Sequence, residues 1–469
     1  MKVKLANISI FLLFIISVLV IIFLFPREDK TTYFAEGKFW RYGLTGGISL
    51  LVGGLMACFF FYFYHLRKKI LIKRKDLFFL LSIMMVFILL TEICISHKLV
   101  SVYVIPYAII PIVVQTFLDS RTALITHFIT ILICSLMVSI PWEFILIQFS
   151  VCMVTIYTSR DLTRRWQLIV CSFYILLTYI AVYLGILLLQ TGSFSHLDWN
   201  KLIYFGINFL LMMFTYPFIF VLEKIFGYIS NVTLVELSDI NLPLLQQLSE
   251  KAPGTFQHSL QVSMLGTTAA VKVGANPQLI RTGALYHDIG KMENPLYFVE
   301  NRLAGPNPHD ELSLVESARI ITKHVPTGVK MAEKHGIPQA IVKFIKTHHG
   351  KGKAKYFYNL YVNQFSDKPV DESAFSYSGE NPDTKETAIL MMADSVEAAS
   401  RSLTDYSEIS LRNLIDKIIN SQIADGLLED APLTFKNIKE IKQVFLERLL
   451  SIYHLRITYP EIEEKPLPA

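Results

Sequence analysis

Eight apolar runs crowd the first half of this chain, at roughly 6–25, 43–64, 77–95, 100–118, 121–139, 142–158, 168–189 and 202–224. They restrict it to a membrane-spanning fold, because about twenty apolar residues are needed to carry a helix across a hydrocarbon core roughly 30 Å thick. The runs between 100 and 158 are the short ones. A composition of 52% hydrophobic against 18% charged residues is too oily for an ordinary soluble chain. The average hides a break, since residues 227–469 have globular composition and enough length for a core of their own. The expected fold is all-α, a polytopic transmembrane helical domain followed by a cytoplasmic helical one.

Loop charge orients the chain. Arg67-Lys68-Lys69-Ile70-Leu71-Ile72-Lys73-Arg74-Lys75 holds six positive residues in nine and belongs on the cytoplasmic side of the bilayer. Counting onward puts the Ser159–Arg165 loop on that side too, and the Thr191–Lys201 loop outside. Both termini are then cytoplasmic in a multi-pass membrane protein. The net charge of +5 gathers beside the spans, where a lipid bilayer accounts for it, so DNA and RNA are not expected partners. The expected domains are an anchor over 1–26, a short extracytoplasmic segment over 27–42, a multi-span domain over 43–226, a linker helix over 227–254 and a cytoplasmic domain over 255–469.

The spans carry little chemistry. Glu92, His127 and Asn208 are the polar exceptions, the first two near span ends where a long side chain reaches the interface cheaply, and they read as interface or helix-packing groups, with ligand sensing or transport as the alternative. Pro106, Pro111 and Pro217 are expected to kink their spans. Cys58, Cys94, Cys134, Cys152 and Cys171 all fall in apolar runs, which excludes a disulfide scaffold and a zinc–thiolate site.

Function has to reside in the second half. Seven of the twelve histidines fall between 258 and 349. His258, the doublet His287-Asp288, His324, the doublet His348-His349 and Asp394 each sit on or at the end of a segment with helical periodicity. Adjacent helical residues diverge by about 100°, so His287-Asp288 serves one cavity only from a helix end or by addressing two centres. A carboxylate can bridge two cations and an imidazole cannot. That makes Asp288 the bridge between a first site of His258, His287 and Asp394 and a second of His324, His348 and His349. Nitrogen and oxygen donors without thiolate suit two divalent ions such as iron or manganese. His309 is a candidate lining the cleft, while His335 and His454 read as ordinary histidines. The Lys351–Lys385 stretch has weak periodicity and reads as a loop or flap beside the cleft. The helical stretches after Leu403 are left to close the core or to join two copies as a homodimer.

The segment Gly283-Ala284-Leu285-Tyr286-His287-Asp288-Ile289-Gly290-Lys291 resembles the signature of the HD-domain metal-dependent phosphohydrolases. Ala252-Pro253-Gly254-Thr255, Glu236-Leu237-Ser238-Asp239 and Ala393–Ser402 resemble the bacterial multi-span branch that degrades cyclic di-AMP. The resemblance implies hydrolysis of the cyclic dinucleotide to linear pApA by a hydroxide held between two metals, with the same seven residues as ligands. Position in the chain adds a catalytic phosphate contact at Lys291, three residues after Asp288, a second phosphate contact at Arg401, two helical turns after Asp394, and candidate substrate contacts at His309 and Tyr377. Relatives usually carry a sizeable extracellular domain between the first two spans. Here Arg27–Tyr42 is too short to hold a core. The Gly-Tyr-Pro element of the cyclic di-GMP branch does not follow His348-His349. Other readings of the same residues are hydrolysis of cyclic di-GMP or another nucleotide, a diiron oxygenase, and a membrane receptor that binds nucleotide without cleaving it.

Overall fold

The structure, a computed structural model, describes residues 5–24, 38–97, 100–160, 162–302, 305–365 and 370–453. Residues 27–37 of the expected extracytoplasmic segment and His454 lie outside them. The chain divides into two compact units at Val232 and Thr233. Both are helical, and among the described residues the sole β-type pairing is the isolated bridge of Lys353 with Ser376.

In the first unit, Gly46–Leu66, Arg74–Ser96, Pro141–Thr158 and Arg165–Thr191 are each long and apolar enough to cross a membrane. Trp199–Met212 and Thr215–Phe226 make a fifth span if taken together, bent by 46°. Asn7–Phe23, Val102–Phe117 and Ser120–Ser135 are shorter apolar helical segments. Pro106 and Pro217 break their spans, while Pro111 sits in the first turn of the Ile109–Phe117 helix, where its missing N–H costs nothing. Pro106 separates a short 3-10 turn at Val102–Val104 from a nine-residue helix at Ile109–Phe117. Pro217 cannot donate to the carbonyl of Met213, and the helix stops there before resuming at Thr215. Carbonyls freed in a bilayer need partners. Asn208 supplies them, its Nδ2 donating to Tyr103 O at 3.1 Å and Ile105 O at 2.9 Å.

Glu92 and His127 are helix-packing groups. Each is 1% exposed, and His127 Nε2 lies 3.2 Å from Gln148 O. The helices around them pack laterally, which sequence position along a span does not reveal. A buried ion pair was also hidden in the sequence. Glu143 Oε1 meets Lys201 Nζ at 2.6 Å and accepts from Tyr103 OH at 2.9 Å.

The second unit is a helical domain around one apolar core. Pro253–Val273, Pro277–Tyr286, Gln339–Thr347 and Lys385–Ser400 contribute Val262, Leu265, Ile280, Phe344, Ile389 and Val396 to it. Glu408–Ala424 and Phe435–Ile452 close it with Leu411, Ile415, Ile441 and Phe445. The linker breaks at Pro243, where a new helix opens, and its first part is tied into this unit. Thr282 Oγ1 donates to Leu234 O, and Tyr286 OH to Leu237 O, both at 2.9 Å.

The Lys351–Lys385 stretch departs from expectation. It holds a ten-residue helix, Lys355–Gln364, whose Phe357 packs with Ala318, Ala354 and Phe375. Ala354 N donates to Phe375 O at 2.8 Å and Tyr377 N to Gly352 O at 2.9 Å, pinching its base shut. Mixed aromatic and polar residues masked the helical period, since a helix this short docks through a few aromatic contacts.

Candidate metal centre

Local rules set the helices that bring the polar residues into one largely buried cluster. Asn276 caps the Pro277–Tyr286 helix by accepting from Gln278 N and Leu279 N. That helix ends at Tyr286, so His287 is its last αR residue and Asp288 turns out of it. Ser313 and Glu316 form a capping box that starts the Leu314–Lys334 helix carrying His324. His348 and His349 follow directly on the Gln339–Thr347 helix, just past its last turn, before Gly350 reverses the chain at φ +56°. Thr384 opens the helix that bears Asp394.

The seven residues expected at the centre come together in two groups, His258–His287–Asp288–Asp394 and His324–His348–His349. Within each group, one ligand-type atom from every member lies within 4.8 Å of the others. Asp288 faces both. Its Oδ1 lies 3.3 Å from His324 Nε2 and 3.5 Å from His348 Nε2, while its Oδ2 lies 3.3 Å from His287 Nε2 and 3.8 Å from His258 Nε2. Asp394 Oδ1 lies 2.9 Å from His258 Nε2 and 3.5 Å from His287 Nε2, and its Oδ2 is 3.8 Å from His349 Nδ1.

Three imidazoles are aimed by their own helices. Nδ1 of His287, His324 and His348 sits 2.7, 2.7 and 2.9 Å from the carbonyl three residues earlier, that of Ala284, Ile321 and Ile345. Donation there fixes the tautomer and leaves Nε2 facing the cleft. His258 differs, for its Nδ1 meets the carboxylate of Glu397.

A cation fits this donor set. His287 Nε2 and both Asp288 oxygens are buried with no hydrogen-bond partner, their ion-pair contacts aside. Orphaned atoms of this kind carry a large desolvation cost unless something binds them. Without a cation, protons take up part of the role. Burial opposes the charged form of His287, but Asp288 and Asp394 beside it bring its pKa up to about 10. Both carboxyls sit well below the usual range despite burial, held there by His287 together with Lys291 for Asp288 and His258 for Asp394. His348 and His349 shift down, chiefly through burial. The two buried groups are capable of holding divalent ions, with oxygen and nitrogen donors only.

Of the residues expected to meet substrate, Lys291 and Tyr377 touch members of the two groups, and His309 and Arg401 have other partners. Lys291 Nζ lies 2.7 Å from Asp288 Oδ2 and 2.8 Å from Glu300 Oε1, and these carboxylates raise its pKa against the effect of burial. Tyr377 stacks on His349 with ring centroids 4.2 Å apart. His309 packs between Tyr297 and Phe357, its Nε2 3.0 Å from Tyr297 O, and belongs to neither metal group. Arg401 is turned to Glu397, its Nε donating to Oε1 at 2.8 Å. Glu397 and Glu300 had no role in the sequence reading. The signal for Glu397 was its spacing, three residues after Asp394 and four before Arg401 on one helix.

Two family models match the chain. One, described as a 7TM receptor with intracellular HD hydrolase, covers residues 43–230, and the other, the HD domain, covers 255–399. An uncharacterized protein of Synechocystis, slr0104, is 36% identical over 69% of this chain and 41% of its own length. The cyclic-di-AMP phosphodiesterase PgpH of Listeria monocytogenes is 39% identical over 64% of this chain and 42% of its own. The chain thus spans about two fifths of the length of these relatives. The crystal structure of the Listeria PgpH HD domain in complex with cyclic-di-AMP is 41% identical with a TM-score of 0.44, covering 46% of this chain and 100% of that one.

Proposed function

We propose that this chain, which belongs to the multi-span membrane HD-domain phosphohydrolases and carries its HD domain on the cytoplasmic side, hydrolyses cyclic di-AMP to pApA using two divalent metals. The observation that supports it most is the division of Asp288 between two groups, one oxygen toward each. The kinship with a cyclic-di-AMP phosphodiesterase supplies the substrate.

His258, His287, Asp288 and Asp394 would hold one cation, and His324, His348 and His349 with Asp288 the other. Bound there, the pair supplies Lewis-acid charge that acidifies water and neutralises phosphoryl oxygens. The protein's own residues do the rest. Lys291, braced by Asp288 and Glu300, presents its remaining N–H to a non-bridging oxygen. Tyr377, stacked on His349, offers a ring edge at the cleft to a nucleobase, and the outer N–H groups of Arg401 remain open to the second phosphate. The donor set favours iron or manganese. A contact between two copies belongs to this reading as well, supported by Ile409 and Phe435, which stand 72% and 89% exposed on the last two helices. A monomeric mass for the detergent-solubilised chain would reject that contact.

The test is conversion of cyclic di-AMP to pApA by the full chain loaded with manganese or iron, with cyclic di-GMP and linear dinucleotides run in parallel. Turnover of cyclic di-AMP that vanishes in Asp288→Ala is the expected result. Inert cyclic di-AMP beside rapid turnover of another nucleotide would overturn the substrate, and equal activity in the variant would overturn the site.

A further inference from the structure

The two groups are built unequally behind the ligands. In the second group the Nδ1 atoms of His324 and His348 face neutral backbone carbonyls, as does that of His287 in the first. His258 instead hydrogen-bonds a carboxylate, Glu397, which is 3% exposed, whereas His349 Nδ1 comes no nearer than 3.8 Å to a carboxylate, that of the ligand Asp394. Glu397 is itself held on the other side, its Oε1 accepting from Arg401 Nε at 2.8 Å and pairing with Arg401 NH2 at 2.5 Å. Asp394, Glu397 and Arg401 share one face of the Lys385–Ser400 helix and its cap, so one element delivers a ligand, the group behind a second ligand, and that group's anchor.

We propose that Glu397 is a positioning residue that makes the His258–His287–Asp288–Asp394 group the tighter of the two cation sites. A carboxylate behind an imidazole fixes the ring's tautomer and direction and makes its free nitrogen a stronger donor than a carbonyl does. The first group also holds Asp394 where the second has a third imidazole, so negative charge accumulates on its side. The cations load in order, the first group filling before the second. This rests on the two-cation centre and not on which nucleotide is cleaved, so its test uses no nucleotide.

The experiment titrates the metal-free full chain in detergent with Mn²⁺ and resolves the two binding phases by calorimetry and by the paramagnetic signal of the bound ion. Wild type is expected to show a tight phase and a weaker one. Glu397→Gln keeps the shape and removes the charge, and should weaken the tight phase by about 10- to 100-fold while the weaker phase stays put. Arg401→Gln, which frees Glu397 from its anchor at a half-exposed position, should weaken the same phase by less. Melting of both metal-free variants at the wild-type temperature guards against a folding defect in either. Two equal phases in wild type, wild-type binding in Glu397→Gln, or equal loss in both phases would each overturn the proposal.

Discussion

Gly290 lies so close to His324 that a Cβ on it would stand 1.9 Å from the His324 carbonyl oxygen. The short 3-10 turn after His287-Asp288 thereby presses against the Leu314–Lys334 helix and brings Asp288 Oδ1 to 3.3 Å from His324 Nε2. The glycine of the sequence signature is a spacing device between two metal groups. Gly290→Ala should separate them, dropping turnover by about 100-fold or more, since displacement of a reacting group by about 1 Å can cost that much. Retention of full metal content and turnover would refute this account of the glycine.

Asp288 and His349 should separate by metal content. Asp288 addresses both groups, so Asp288→Asn is expected to lose both cations. His349 belongs to the second group alone, so His349→Ala should keep about one cation per chain. Elemental analysis of the purified variants decides it, and two retained cations in Asp288→Asn would contradict the bridging role.

Cation affinity should rise with pH. In the metal-free centre His287 has its pKa raised to about 10 by Asp288 and Asp394, so it carries a proton at neutral pH. A cation needs the Nε2 lone pair and expels that proton. Since the pKa is raised, the competition weakens as pH climbs toward that value, with affinity gaining about tenfold per pH unit for each proton released. Mn²⁺ titrations at pH 6 and pH 8 read it directly. Equal affinities would show that His287 is already neutral.

The membrane unit carries its own test. Glu143 and Lys201 pair at 2.6 Å with Glu143 only 2% exposed, so removing Lys201 strands a buried charge. Lys201→Met should lower stability by about 3–5 kcal/mol, and the double change Glu143→Gln with Lys201→Met by much less. Thermal unfolding in detergent compares the two, and a single variant as stable as wild type would show the pair to be dispensable.

The sequence by itself determined the helical class, the division between an oily half and a globular one, and the identity of the seven clustered residues. These follow from local chemistry, because apolar run length, helix caps and doublets at helix ends are all written in neighbouring residues. It also marked Pro106 and Pro217 as disruptions, without saying that the helices stop there. Only the tertiary structure decided that Asp288 gives one oxygen to each group and that Glu397 stands behind His258. It likewise buried Glu92 and His127 among helices and docked the Lys355–Gln364 helix against Ala318. Those outcomes depend on which helix faces meet across the fold. Such meetings are set by packing between segments distant in sequence, from the 21 residues between His127 and Gln148 to the 139 between His258 and Glu397, and no local pattern encodes them.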